Sequence, residues 1–220
     1  MDPKRIVAEG YDRIAEAYAD FAGRSRDDPR DRYTALMIDR LAPGAAVLEL
    51  GCGGGVPTAR LLAERYAVTG VDLSARQIEL ARRQVPGATF VQVDMTALDL
   101  PPESVDAVVA FYSLTHVPRR EHRRLFASIV NWLRPGGLLV ASMGAGASPD
   151  CVEDDWLGAP MFFSHFGART NQRLVREAGF DIRSARTEWT DEDGVAVPFL
   201  WIVATKPGTP PAQTRDGILA

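Results

Sequence analysis

Glycine crowds one point in the chain. Val47-Leu48-Glu49-Leu50 is a short apolar run that ends in Gly51-Cys52-Gly53-Gly54-Gly55. Glycines directly after a buried strand let the backbone turn sharply and approach a ligand closely. A helix opening near Val56-Pro57 aims free N–H groups and the positive end of its dipole at the same place. The spacing is not that of a dinucleotide loop, because the third glycine of G-x-G-x-x-G is replaced by Val56 in one frame and Thr58 in the other. Carboxylates accompany the loop instead. Glu49 stands two residues before Gly51, Asp72 lies 21 positions beyond it, and Asp94 precedes Met95. Each falls in or at the end of an apolar run. An acid at the second strand's end can accept from both ribose hydroxyls of an adenosyl group. Asp94 is placed to accept from an adenine amino group, with Met95 packed on the ring. Singly, an aspartate after a strand is ordinarily a turn former or a helix cap; acids at successive strand ends beside a glycine loop read as a site.

The elements that position these groups follow from hydrophobic period. Ile6, Val7, Tyr11, Ile14, Ala15 and Tyr18 recur at helical spacing, and Tyr33, Leu36, Met37 and Leu41 do so after a charged turn at 24–29. From residue 46 strands alternate with helices. Strands are expected at 46–50, 66–72, 89–94, 105–111 and 138–142. Helices are expected at about 57–65, after an S-x-x-Q capping box at Ser74 and Gln77, and along the Leu125, Phe126, Ile129, Val130, Leu133 face. Continuously apolar strands between amphipathic helices imply a parallel sheet covered on both faces. Beyond Gly144 the pattern loosens, and an irregular stretch is expected to about Gly167. A helix at 171–178 and strands at 180–187 and 197–205 follow. Asp191-Glu192-Asp193-Gly194 between these strands suggests a hairpin and an antiparallel edge strand.

Taken together, this set resembles a class I S-adenosylmethionine-dependent methyltransferase. Glu49-x-Gly51-x-Gly53-x-Gly55 resembles the family's first motif, Asp72 its ribose-binding acid and Asp94-Met95 its adenine-binding pair. Leu133-Arg134-Pro135-Gly136-Gly137-Leu138 resembles the turn before its fifth strand. The resemblance implies an α/β, Rossmann-like, seven-stranded, mostly parallel sheet whose last strand is antiparallel, with helices on both faces and an N-terminal helical lid. It implies S-adenosyl-L-methionine as cofactor, held by Tyr18, Glu49, Gly51, Gly53, Asp72, Leu73, Asp94, Met95 and Phe111. A segment like Tyr11-Asp12-Arg13-Ile14-Ala15-Glu16-Ala17-Tyr18 forms a lid over the cofactor in relatives. The expected organisation is a lid at 1–43, a cofactor-binding domain at 44–206 and a disordered tail at 207–220.

Methyl transfer from a sulfonium is an in-line displacement, so positioning supplies much of the rate. A base is needed only where the acceptor loses a proton. His116, after the fourth strand, and His165, in the irregular segment, are the candidate catalytic residues. His122, among Arg119, Arg120, Arg123 and Arg124, is expected on a solvated helix face. Tyr11, Tyr18, Phe111, Tyr112, Trp156, Phe162 and Phe163 supply material for an apolar acceptor pocket. Arg24 or Arg32 is a candidate partner for the cofactor carboxylate.

Composition narrows the partners. The net charge of −4 lacks the basic balance of a nucleic-acid binder, and the [DN]-P-P-[YF] signature is absent after the fourth strand. Two separated cysteines give no metal spacing. No apolar run reaches membrane length, so a cytoplasmic protein is expected, a monomer or homodimer acting on a small-molecule acceptor. A cyclase-like enzyme using the cofactor without methyl transfer, and a non-catalytic adenosyl-binding module, are the alternatives.

Overall fold

The computed structural model describes residues 2–24, 28–192 and 194–208, with the side chain of Arg24 outside that set. Most of the expected tail, and Asp193 of the expected turn, lie outside the described residues. Two helices, α1 (Pro3–Arg24) and α2 (Pro29–Arg40), precede an alternating region. It runs β1 (Ala46–Leu50), α3 (Thr58–Ala63), β2 (Ala67–Asp72), α4 (Ala75–Gln84), β3 (Thr89–Gln92), β4 (Val105–Ala110), α5 (Arg119–Trp132) and β5 (Leu133–Gly144). The chain closes with β6 (Ser148–Trp156), β7 (Ala159–His165), α6 (Ala168–Glu177), β8 (Asp181–Glu192) and β9 (Val195–Thr205).

Seven strands form one sheet in the order β3-β2-β1-β4-β5-β9-β8. Strands β1 to β5 are parallel, and β9 runs antiparallel to both β5 and β8. The antiparallel strand is therefore not at the edge, as the hairpin at 191–194 suggested. The edge falls to β8, and β9 inserts between it and β5. Strand order reverses between β1 and β4, where ligands bind open α/β sheets, outside the carboxyl ends.

Alternate side chains face opposite layers. Leu48 and Val108 join a core with Phe126, Ile129 and Val175 of α5 and α6. Val47 and Val109 join another with Leu62, Ile78 and Met37 of α3, α4 and α2. Thus α2 belongs to the main core, with Tyr33 stacked on the fully buried Trp201 at 4.5 Å. Ile6, Val7 and Ile14 of α1 pack elsewhere, against Ala159, Met161 and Phe162.

That third cluster corrects the sequence reading of 145–167, where an irregular stretch was expected. Strands β6 and β7 form a separate two-stranded antiparallel sheet. Its loop is the pair Leu157 (φ 54°) and Gly158 (φ 99°), between the paired Trp156 and Ala159. Positive φ at both central residues is the hairpin geometry that matches strand twist. The acidic run in β6 hid the strand, because that strand is mostly exposed and has no alternation to detect. His122 is a second correction. It is only 3% exposed, and its Nε2 lies 2.9 Å from the Val117 carbonyl. It sits three and four residues before Leu125 and Phe126, so helical period turns it inward with them. Ser74 caps α4 by accepting from the Gln77 N–H at 3.0 Å, but the return arm of the box is absent. Asp72 takes the Ser74 N–H instead.

Candidate active site

The loop after β1 is held by backbone bonds. The Gly51 and Cys52 N–H groups both donate to the Val71 carbonyl, at 2.8 and 3.0 Å. Gly51 has φ 75°, and a Cβ there would lie 2.2 Å from Ser113 Cβ, so only glycine fits without movement. Ser113 fixes the opposite wall by donating to the Leu50 carbonyl at 2.6 Å.

Asp72 organises the loop from the end of β2. One carboxylate oxygen accepts the Gly53 N–H at 2.9 Å and the other accepts the Ser74 N–H at 2.9 Å. Burial raises the carboxyl above its usual range, and the backbone donors pull it partly back. Asp94 accepts the Thr96 N–H at 2.8 Å and pairs with Lys4 Nζ at 2.7 Å. Burial opposes its ionised form, but the bonds from Lys4 and Thr96 outweigh burial and lower its pKa. Lys4 also reaches Glu121 at 2.5 Å, so the first turn of α1 is pinned across the cleft.

Tyr18, Gly51, Gly53, Asp72, Leu73, Asp94, Met95 and Phe111 all line one cleft at these strand ends. Glu49 does not line it. It is buried below, with Oε2 unpaired, and burial pushes its carboxyl up to about 8, Arg30 pulling it down and Asp72 pushing it further up. The cleft volume is about 60 Å³ with α1 closed over it, small beside the roughly 300–1,000 Å³ of small-molecule sites.

A second cavity of about 440 Å³ adjoins the cleft and shares Tyr11, Tyr18, Tyr112 and His116 with it. Trp156 and Phe163 of the hairpin and Phe21 of α1 complete an aromatic wall. Trp156 lies 5.8 Å from Tyr11, 5.9 Å from Tyr18 and 5.7 Å from Phe163, centroid to centroid. Of the expected aromatics, Phe111 lines the first cleft, and Phe162 is buried in the packing of α1 on the hairpin. Tyr112 holds φ 59°, uncommon for a bulky residue. Its N–H donates to Ser142 Oγ at 2.6 Å, and its hydroxyl to Asp28 at 2.8 Å.

Both candidate histidines reach this cavity. His116 lies at the junction, with Nδ1 2.8 Å from the Phe162 carbonyl and Nε2 2.9 Å from the Tyr11 hydroxyl. Burial lowers its pKa to about 4. His165 lines the second cavity alone, with Nδ1 2.8 Å from the Gly146 carbonyl. Of the two expected arginines, Arg32 lies away from the site. Arg32 is exposed and paired with Glu188, and the Arg24 side chain lies outside the described residues. Arg30 reaches it instead. It pairs with Asp28 at 2.6 Å, lies 5.1 Å over the Tyr112 ring and lines the second cavity. Asp28 followed by Pro29 is a helix-start signal that places Arg30 in the first turn of α2.

Known proteins agree with this geometry. Residues 47–137 match the methyltransferase-domain family. The chain is 30% identical to 27-O-demethylrifamycin SV methyltransferase of Amycolatopsis mediterranei, over 84% of this chain and 79% of that one. It is 40% identical to trans-aconitate 2-methyltransferase of Paracidovorax citrulli over 54% of this chain, and so spans about half that relative's length (47%). The solved magnesium protoporphyrin IX methyltransferase of Synechocystis PCC 6803 shares the fold, with a TM-score of 0.70 at 19% identity over 94% of this chain and 98% of that one. The loop, the strand-end acids and these relatives together show that the chain belongs to the class I S-adenosylmethionine-dependent methyltransferases.

Proposed function

We propose that this protein transfers the methyl group of S-adenosylmethionine to a hydroxyl of a small planar acceptor. The observation that carries the reading is the pair of cavities. A cleft lined by glycines and carboxylates opens, at four shared side chains, onto a larger aromatic chamber. The cleft residues fit an adenosyl group. Asp72 faces it with oxygens pre-set by two backbone N–H groups, and Gly53, whose Cβ position meets nothing closer than 3.7 Å, leaves room for close approach. Asp72 would hold the ribose, and Asp94 and Met95 the adenine. Residues 44–206 form the cofactor domain in this reading, and α1 is its lid. When bound, the cofactor supplies a methyl group already activated by the sulfonium charge. The chain's own part is to align the acceptor and exclude water.

The aromatic wall supports a planar acceptor. Oxygen is proposed as the methylated atom because the relative of greatest shared length described above carries it in its name. Among the described residues lining the chamber, Arg30 is the one guanidinium, and Asp28 already holds it. Glu153 and Asp191 also line the chamber. A multiply charged carboxylate such as trans-aconitate is therefore disfavoured here. The test has two stages. Calorimetry with S-adenosylmethionine and S-adenosylhomocysteine measures cofactor binding. Incubation with methyl-labelled cofactor and cell extract, followed by mass spectrometry, identifies the product. A label found only on macromolecules would defeat the small-molecule reading.

A further inference from the structure

We propose that Tyr11 is the group that receives the acceptor's proton, passing its own to His116. This rests on the methyltransferase reading above and assigns the proton's route within it. The direction of the hydrogen bonds carries the inference. The Phe162 carbonyl can only accept, so His116 Nδ1 is the protonated nitrogen of the neutral ring. Nε2 is then bare, and at 2.9 Å it accepts the Tyr11 O–H. The Tyr11 oxygen thereby has its hydrogen turned away from any third group, leaving lone pairs to accept from a bound hydroxyl.

Placement narrows the choice to the four side chains that line both cavities, and the mutual hydrogen bond singles out this pair. Tyr11 and His116 line both cavities, so they stand where methyl and acceptor meet. His165 lines only the acceptor chamber. The hydroxyl of Tyr112 is engaged by Asp28 and Thr190. The Tyr11 ring is held edge-on by Tyr18 at 5.1 Å, His116 at 5.3 Å and Trp156 at 5.8 Å.

In the transfer step the acceptor O–H bond breaks as its oxygen bonds the methyl carbon. The carbon–sulfur bond breaks with its electron pair left on sulfur. The acceptor proton goes to Tyr11 Oη while the Tyr11 proton moves to His116 Nε2, and the Nδ1–H bond to Phe162 is kept throughout. The imidazolium later returns its proton to solvent. Burial, followed by the Tyr18, Asp72 and Glu192 charges, raises Tyr11 well above its usual pKa, so it holds its proton until one arrives. Burial and the neighbouring His165 keep His116 unprotonated at neutral pH, with the Phe162 carbonyl opposing them. His116 acts only through Tyr11 and is a positioning residue in this scheme.

The experiment combines a spectroscopic and a kinetic arm on the full chain. Nitrogen-15 NMR of labelled histidine should show His116 protonated at Nδ1 and bare at Nε2 between pH 5.5 and 8, with Nε2 shifting in Tyr11→Phe. Methyl transfer is then followed on two phenols of different acidity, 2-naphthol and 4-nitrophenol, at pH 8. Tyr11→Phe should lower kcat on 2-naphthol by about 100-fold or more, with little change in KM. The loss on 4-nitrophenol, already ionised, should be under about threefold. His116→Ala should show the same split, and the double variant should lose no more than either single one. Affinity for S-adenosylhomocysteine, read by calorimetry, checks that each variant is folded. An Nε2-protonated His116, equal losses on both phenols, or additive losses would overturn the relay. So would a wild-type protein that binds S-adenosylhomocysteine yet methylates neither phenol. Absence of that binding would instead sink the cofactor reading itself.

Discussion

The two cavities are built by opposite means. The cofactor cleft is centred on backbone and carboxylates at the ends of four neighbouring parallel strands, joined by rings from α1 and the loop after β4, and its glycine loop is held by hydrogen bonds such as Gly53 to Asp72. The acceptor chamber is made of large rings from α1, the β6–β7 hairpin and the β8–β9 hairpin, brought together from distant parts of the chain. One is exacting in geometry and tolerates little. The other is a packed wall in which single rings can change without collapsing the sheet. In the proposed reading, cofactor and acceptor are met by largely different parts of the chain, joined at Tyr11, Tyr18, Tyr112 and His116.

The sharpest break in this comparison comes from the backbone side. Gly51→Ala places a methyl on Ser113 at a positive φ. Strain of about 1–3 kcal/mol plus a displaced loop should weaken S-adenosylhomocysteine binding by about 100-fold, read by calorimetry. Asp72→Ala should weaken it by at least about tenfold, through loss of charge-assisted bonds; unchanged affinity would remove Asp72 from the ribose role. Trp156→Ala probes the other cavity. Cofactor affinity should stay within about threefold while turnover of the identified acceptor falls by about tenfold, given about 0.5–1.5 kcal/mol per lost ring pair. Equal effects on both would merge the two cavities into one functional unit. The smallest effect concerns the buried Glu49. Its folded pKa, raised to about 8 by burial, means that the fold binds its proton more tightly than the unfolded chain does. Its contribution is therefore full at low pH and is lost as pH rises from the usual carboxylate range through about 8. The melting temperature of the unliganded protein should fall over that window, and Glu49→Gln should flatten the slope, by a few degrees at about 2–4 °C per kcal/mol.

The same division explains what could be read in advance. Strand-end acids and glycines announce themselves because their spacing follows from βαβ geometry, and the strands at 46–50, 67–72 and 105–110 fall where the apolar runs are. The β6–β7 hairpin was invisible because one strand faces solvent and the other packs on a helix more than 130 residues earlier. The two-residue turn at Leu157-Gly158 was the available signal, blurred by a leucine where asparagine or aspartate is usual. Arg30 was missed for a related reason. Its neighbours Arg24 and Arg32 are equally charged, and only the cap at Asp28 shows which face of α2 turns inward. His122 shows the limit of charge patterning: four arginines around it masked a helical period that buries it.

Among the described residues, the β6–β7 hairpin shares no ladder with the main sheet, and its two strands pair with each other. Lengthening or shortening it leaves every rung of the seven-stranded platform in register. A chain built this way can be refitted for a new acceptor at one loop, much as a tool changes its jaw and keeps its handle.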